Sequence, residues 1–167
     1  MPVCSKCGAE HEVLDPVFAR PEAYVRLPRD DAQQHAEAND DLCRIALPDT
    51  ATRFFVRGTL AVKVAGLEGG MHWGLWAEVG EETYRRIFDL WSDEEQHAEP
   101  PFEGALANEI PTYPTTVGLK LSVQLTGPRT RPHFTFANPS PHPFVAECLA
   151  GVTLHRAHAW NALIGAR

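Results

Sequence analysis

Residues 53–64 read RFFVRGTLAVKV, and their alternation decides the fold class. Phe54, Val56, Leu60, Val62 and Val64 share one parity, while Arg53, Arg57, Thr59 and Lys63 share the other. Successive side chains of a strand point to opposite faces, so this segment reads as a strand with one core face and one outward face. VGLKLSVQL at 117–125 repeats the pattern, with Val117, Leu119, Leu121, Val123 and Leu125 set against Gly118, Lys120, Ser122 and Gln124. Shorter candidates at 42–47, 72–79 and 133–137 bring the expected sheet to about five strands.

Around these strands the period changes. In EETYRRIFDLWSDEEQ at 81–96, Tyr84, Ile87, Phe88 and Trp91 recur at helical spacing behind acidic Glu81 and Glu82, which predicts a helix packed on the sheet. Pro143 opens FVAECLAG and Gly151 ends it, the usual asymmetry of helix start and stop. A last helix capped by Thr153 is expected over 154–164, and a short exposed one near 29–39. Pro pairs and clusters between these segments mark loops. Strands and helices that segregate rather than alternate predict an α+β fold with a mainly antiparallel sheet, helices packed on one side, and an N-terminal CxxC knuckle.

The chain has 167 residues, enough for a single domain over 1–167 that buries roughly two-thirds of its unfolded surface, with 1–28 as a metal-knuckle segment packed on it. Hydrophobic residues make up 44% and charged residues 22%, and no apolar run is long enough to span a bilayer. The start of the chain lacks the basic and apolar regions of a secretory leader, so a cytoplasmic protein is expected. A formal charge of -7 with scattered Lys and Arg lacks the basic patch of a nucleic-acid binder. Cys4, Cys7, Cys43 and Cys148 are then thiols or metal ligands rather than disulfides.

The chemistry-bearing motif is Cys4-Ser-Lys-Cys7-Gly8. Two thiolates three residues apart on a Gly-containing turn can reach one ion, and thiolates favour tetrahedral zinc. A zinc ribbon would carry a second such pair, which this chain lacks, so further ligands must come from elsewhere. His11 and Cys43 are the candidates; Cys43 also shares parity with Ile45 and Leu47, as a buried thiol would. A redox dithiol or a plain turn are the alternatives, the former lacking the strand-to-helix setting of a thioredoxin-like motif. Cys148 lies inside a helical apolar pattern and reads as core.

A second constellation lies on the polar side of the strands. His72, Trp76 and Glu78 share a face that Arg57 and Phe55 can join, offering a cation, an aromatic platform and a His near a carboxylate; the alternative is that a helix covers this face and Trp76 is core. Glu103, Asn108 and Tyr113 flank a polar loop that either meets a ligand or supports its own turns. His142 stands at a helix start, as a base or as a cap, and His155 and His158 are expected to be exposed on the last helix. Nucleophile elbow, phosphate loop and paired carboxylates are all missing.

In order along the chain, the CxxCG with a nearby His, the DLC segment, FFVRGTLAVKV, WGLWAEV, FEGALANEIPTYPTTVGLKLSV, RPHF and HPFVAECLAGVT resemble family 2199 of the domains of unknown function, a bacterial group. The resemblance spans nearly the whole chain and implies a small bacterial, cytoplasmic protein of unassigned activity. Cys4, Cys7 and Cys43 fall on positions that look like family cysteines, and Cys148 does not. Taken together, the expectation is a noncatalytic binding or interaction module for a protein or small-molecule partner, with a structural zinc knuckle; the alternative is a small metal-assisted hydrolase using the Cys site or the Arg57/His72/Trp76/Glu78 face.

Overall fold

The computed structural model describes residues 3–4, 6–10, 12–136 and 139–165. Helices α1 (Glu22–Val25) and α2 (Arg29–His35) precede strands β1 (Ala36–Ala38), β2 (Leu42–Ile45), β3 (Arg53–Ala65) and β4 (Leu67–Val79). Helix α3 (Glu81–Asp89) leads through a short turn of 3-10 helix to β5 (Phe102–Leu106), β6 (Lys120–Gln124) and β7 (His133–Thr135). Helix α4 (Pro143–Ala150), strand β8 (Val152–Thr153) and helix α5 (Leu154–Gly165) complete the order.

The architecture is α+β, with a correction to the expected sheet. Strands β3 to β7 form an antiparallel meander, and β7 then returns to pair with β3, Thr59 opposite His133 and Leu60 opposite Phe134. The sheet is therefore a closed five-stranded barrel, with β1, β2 and β8 as extra strands. Closure explains the mixed character: in a meander of odd number the first and last strands point the same way, so the seam between them is parallel. Long β3 serves three partners along one edge: β2 by its start, β7 by its middle and β8 by its end.

The seam depends on a missing side chain. A Cβ at Gly58 would lie 2.4 Å from the Phe134 ring and 2.7 Å from the Pro132 carbonyl oxygen, so glycine lets β7 approach β3. Closure also replaces the single helix-covered side predicted from sequence. Tyr84 of α3 packs on Phe54 at 5.0 Å, near one end of the β3–β4 hairpin. Phe144 of α4 and Trp160 of α5 meet Trp73 edge-on at 5.6 and 5.3 Å, about midway along it. Within α3 only Ile87 is fully buried, and Phe88, expected on the core face, is 63% exposed.

Segments 42–47, 72–79, 117–125 and 133–137 all contain the expected strands, although 137 lies outside the described residues. Helix α4 ends at Gly151 with φ +81°, and the Thr153 hydroxyl accepts from the Arg156 amide at 3.3 Å, the predicted cap of α5. Residues 36–38, expected to be helical, are strand β1, because the Asn39 side chain accepts from the amides of Asp41 (2.8 Å) and Leu42 (2.7 Å) and turns the chain back.

Candidate functional site

The N-terminal segment turns back on itself and brings Cys4 and Cys7 close together. Val3 and Glu10 pair across an antiparallel bridge, Cys4 donates to the Ala9 carbonyl and Gly8 to the Cys4 carbonyl, each at 2.8 Å. Gly8 adopts φ +71°, a left-handed conformation that a side chain disfavours. The third member comes from the far end of the chain: ligand atoms of Cys4, Cys7 and His155 all lie within 4.8 Å of one another. Cys4 is buried, Cys7 exposed and His155 half-buried. Burial alone would push the Cys4 thiol up; the amides of Lys6 and Cys7, a hydrogen bond with the Cys7 thiol and the Lys6 ammonium outweigh it and hold the thiol below its ordinary value. Two sulfurs and an imidazole suit a borderline-soft ion, and this group could hold a metal.

Helix α5 presents His155 by its register. Leu154, Ala157 and Trp160 are buried against the barrel, so the adjoining stripe of His155, His158 and Asn161 faces the N-terminal arm. The His158 ring nitrogen lies 3.3 Å from the Glu12 carbonyl oxygen. Asn161 accepts from the Leu14 amide at 2.9 Å and donates to the Leu14 carbonyl. His155 was expected to be exposed; the arm laid along α5 is what covers it, and a pairing across some 150 residues left no local signal in the sequence.

The other proposed ligands fall differently. His11 lies outside the described residues. Cys43 is not a member of the Cys4/Cys7/His155 group: it sits on β2 opposite Phe55, fully buried, and burial pushes its thiol up to about 11. Its parity with Ile45 already pointed inward. Cys148 is core, as expected, with its thiol raised by burial.

Of the Arg57/His72/Trp76/Glu78 face, Arg57 and Trp76 are buried, while Glu78 lines a cleft of about 710 Å³. Arg57 and Trp76 are cross-strand partners, both buried, with the guanidinium 5.9 Å from the indole centroid. The cover over Trp76 is the N-terminal arm rather than a helix: its indole N–H donates to the Phe18 carbonyl at 3.1 Å, and Phe18 in turn donates to the Gly74 carbonyl at 2.9 Å. Glu78 accepts a two-pronged bond from Arg53, at 2.8 and 2.7 Å. His72 donates its amide to Asp15 at 2.6 Å. These four residues hold strands and arm together.

The polar loop supports itself in the same way. Asn108, fully buried, accepts from the Trp76 amide at 2.7 Å and donates to the Arg20 carbonyl at 3.0 Å. Tyr113 donates to Glu147 and accepts from Arg156 (2.7 Å) and Trp160 (2.9 Å), which binds the loop to α4 and α5. Burial, then the bond to Glu147, push its hydroxyl up to about 12 against the opposing pull of Trp160 and Arg156. His142 caps α4: its Nδ1 accepts from the Phe144 amide at 3.2 Å, so Nε2 carries the proton and faces the Pro114 carbonyl at 3.2 Å. Glu103 alone of the loop candidates lines a cleft, of about 710 Å³, with Lys120 and Ser122 at its rim and Gly104, Leu121 and Val145 among its apolar lining. The Cys4/Cys7/His155 group is not part of it.

Fold and site together define a small mixed β-barrel protein whose N-terminal arm meets helix α5 at a group of two cysteines and a histidine. The chain belongs to the family described as an uncharacterized protein conserved in bacteria (DUF2199), whose model matches residues 3–152. That span takes in Cys4, Cys7 and Cys43 and ends short of His155. No curated protein and no solved structure matches the chain.

Proposed function

We propose that this protein is a noncatalytic binding module of the bacterial cytoplasm whose N-terminal arm is fixed by one structural zinc ion on Cys4, Cys7 and His155. The observation that carries it is the convergence of these three donors from opposite ends of the chain. Two sulfur donors select zinc over harder cations, and a reducing compartment keeps the thiols available as ligands. His11, four residues after Cys7, is the fourth donor on sequence spacing. The partner is a protein or a small molecule; the charge of -7 disfavours nucleic acid, and among the described residues no helix is long and apolar enough to cross a membrane.

Metal content by plasma mass spectrometry on untagged protein tests the zinc directly. One zinc per chain is expected in the wild type, lost in Cys4→Ser/Cys7→Ser and in His155→Ala, with a lower melting temperature in each. A metal-free wild type, or a double variant that keeps its metal and its melting temperature, overturns it. One observation favours a second function, a metal-assisted hydrolase: three protein donors are the complement of a catalytic zinc with water at the open position. His11→Ala separates the two. The structural site loses affinity for zinc, whereas the catalytic site retains it.

A further inference from the structure

On the outer side of the barrel seam, Arg57 and Thr59 share one face of β3, and Thr59 is paired with His133 of β7. The loop between β6 and β7 adds Arg129 and Arg131, and Asp41 enters from the turn before β2. Thr59, Arg129, Arg131, His133, Asp41 and Trp91 line an open cleft of about 600 Å³. Two arginines and one carboxylate thus line it, in a chain of formal charge -7.

The charges are unequally matched. Asp41 accepts from Arg131 Nε at 2.8 Å, and no ion pair is formed by Arg129 or His133 among the described residues. Behind the cleft, Arg57 is 8% exposed; one Nη donates to the Asp40 carbonyl at 3.2 Å, and its buried Nε has no hydrogen-bond partner among the described residues. Burial, then the nearby Arg131, act against its charge while Asp41 and Asp40 act for it, so a negative group placed at the cleft meets first Arg129, unpaired among the described residues. Arg129 holds φ +57° after Pro128, in a turn where Thr130 N reaches the Gly127 carbonyl at 3.3 Å. That position ordinarily takes glycine or asparagine, so the arginine stands there against the local preference of the backbone. Trp91, half-buried, also lines the cleft, and its carbonyl accepts from the Arg129 amide at 2.7 Å.

We propose that this cleft binds a small organic phosphate, its phosphate oxygens on Arg129 and Arg131 and its ring against Trp91. Arginine forks match phosphate oxygens two at a time, and an indole face stacks with a planar ring. The site names the ligand class for the binding-module function and is independent of the zinc group.

Three of the four tryptophans, Trp73, Trp76 and Trp160, are fully buried, so a ligand-dependent change in tryptophan fluorescence reports Trp91. Zinc-assayed wild-type protein is titrated with adenosine monophosphate, inorganic phosphate, citrate and potassium chloride at matched ionic strength. Saturable quenching by the nucleotide is expected, with inorganic phosphate at least roughly tenfold weaker and chloride without effect. Arg129→Gly, which suits the turn and should keep the melting temperature, weakens the nucleotide by roughly tenfold, as does Arg131→Gln. A response that tracks ionic strength alone, citrate binding in preference to both phosphates, or unchanged affinity in Arg129→Gly overturns the proposal. Because metal content is measured on the same samples, loss of this site with zinc intact leaves the metal assignment standing.

Discussion

At Tyr113 one hydroxyl does three jobs: it donates to Glu147 and accepts from Arg156 and Trp160. Removing it leaves Trp160 Nε1, Arg156 and Glu147 each short of a partner in a partly dry setting, which costs more than a surface hydrogen bond. Tyr113→Phe should therefore lower unfolding free energy by about 1–3 kcal/mol in urea melts at neutral pH, with little change in m-value. The hydroxyl also sets a pH window. Its folded value is raised from 10.0 to about 12, so the folded state holds the proton where the unfolded chain has released it. The contribution is fully present below pH 10 and is lost as pH rises toward about 12. The stability gap between wild type and Tyr113→Phe should narrow across that range; a constant gap would show the hydroxyl to be unperturbed. None of this was legible in NEIPTYPTT, where Tyr113 reads as a loop residue, because its partners lie 34 to 47 residues away. Trp76 shows the converse: its burial as core was one of two sequence expectations, but its cover is the arm at Phe18, which no periodicity indicates.

Among the elements, β3 is the one on which the fold turns, and Gly58 is its sensitive point. Gly58→Ala puts a methyl group 2.4 Å from the Phe134 ring and 2.7 Å from a backbone oxygen, and the second cannot swing away. Overpacking of this kind costs roughly 1–3 kcal/mol, and it acts on the two pairs, Thr59 with His133 and Leu60 with Phe134, that close the barrel. The expected result is a lower urea midpoint together with faster amide exchange in β7 than in β4; equal loss of protection throughout would place the damage elsewhere. Strands β3, β4 and β6 were readable because one face of each is apolar at strict period two. Strand β5 was not, since FEGAL follows Pro100-Pro101, carries Gly104 and buries fully only Leu106. Closure itself was hidden for a different reason: alternation records which face is buried, and the same pattern serves an open sheet and a barrel.

For the whole molecule, the arm matters because it touches the two ends of the fold by different means. From Asp15 onward it is bonded to β4 through the amides of His72, Gly74 and Phe18 and the Trp76 indole. Before Asp15 it depends on α5: Asn161 at Leu14, His158 at Glu12, and the Cys4/Cys7/His155 group. Most of the described residues between 6 and 14 are exposed, so little apolar burial holds this stretch, and a metal ion on the proposed site would supply its main attachment. Chelation should then free one segment rather than unfold the chain, because little apolar burial opposes local opening there. A Glu-specific protease should cut at Glu10 and Glu12 much faster after chelator treatment, leaving a folded core that begins near Val13 and melts cooperatively. Adding zinc back should restore resistance, and Cys4→Ser/Cys7→Ser should be cut at the chelated rate with or without zinc. Equal cutting of wild type before and after chelation would mean that contacts other than a metal ion hold the arm to α5. Collapse of the entire chain on chelation would instead mean that the staple between residues 4 and 155 supports the barrel seam, through Trp160 against Trp73.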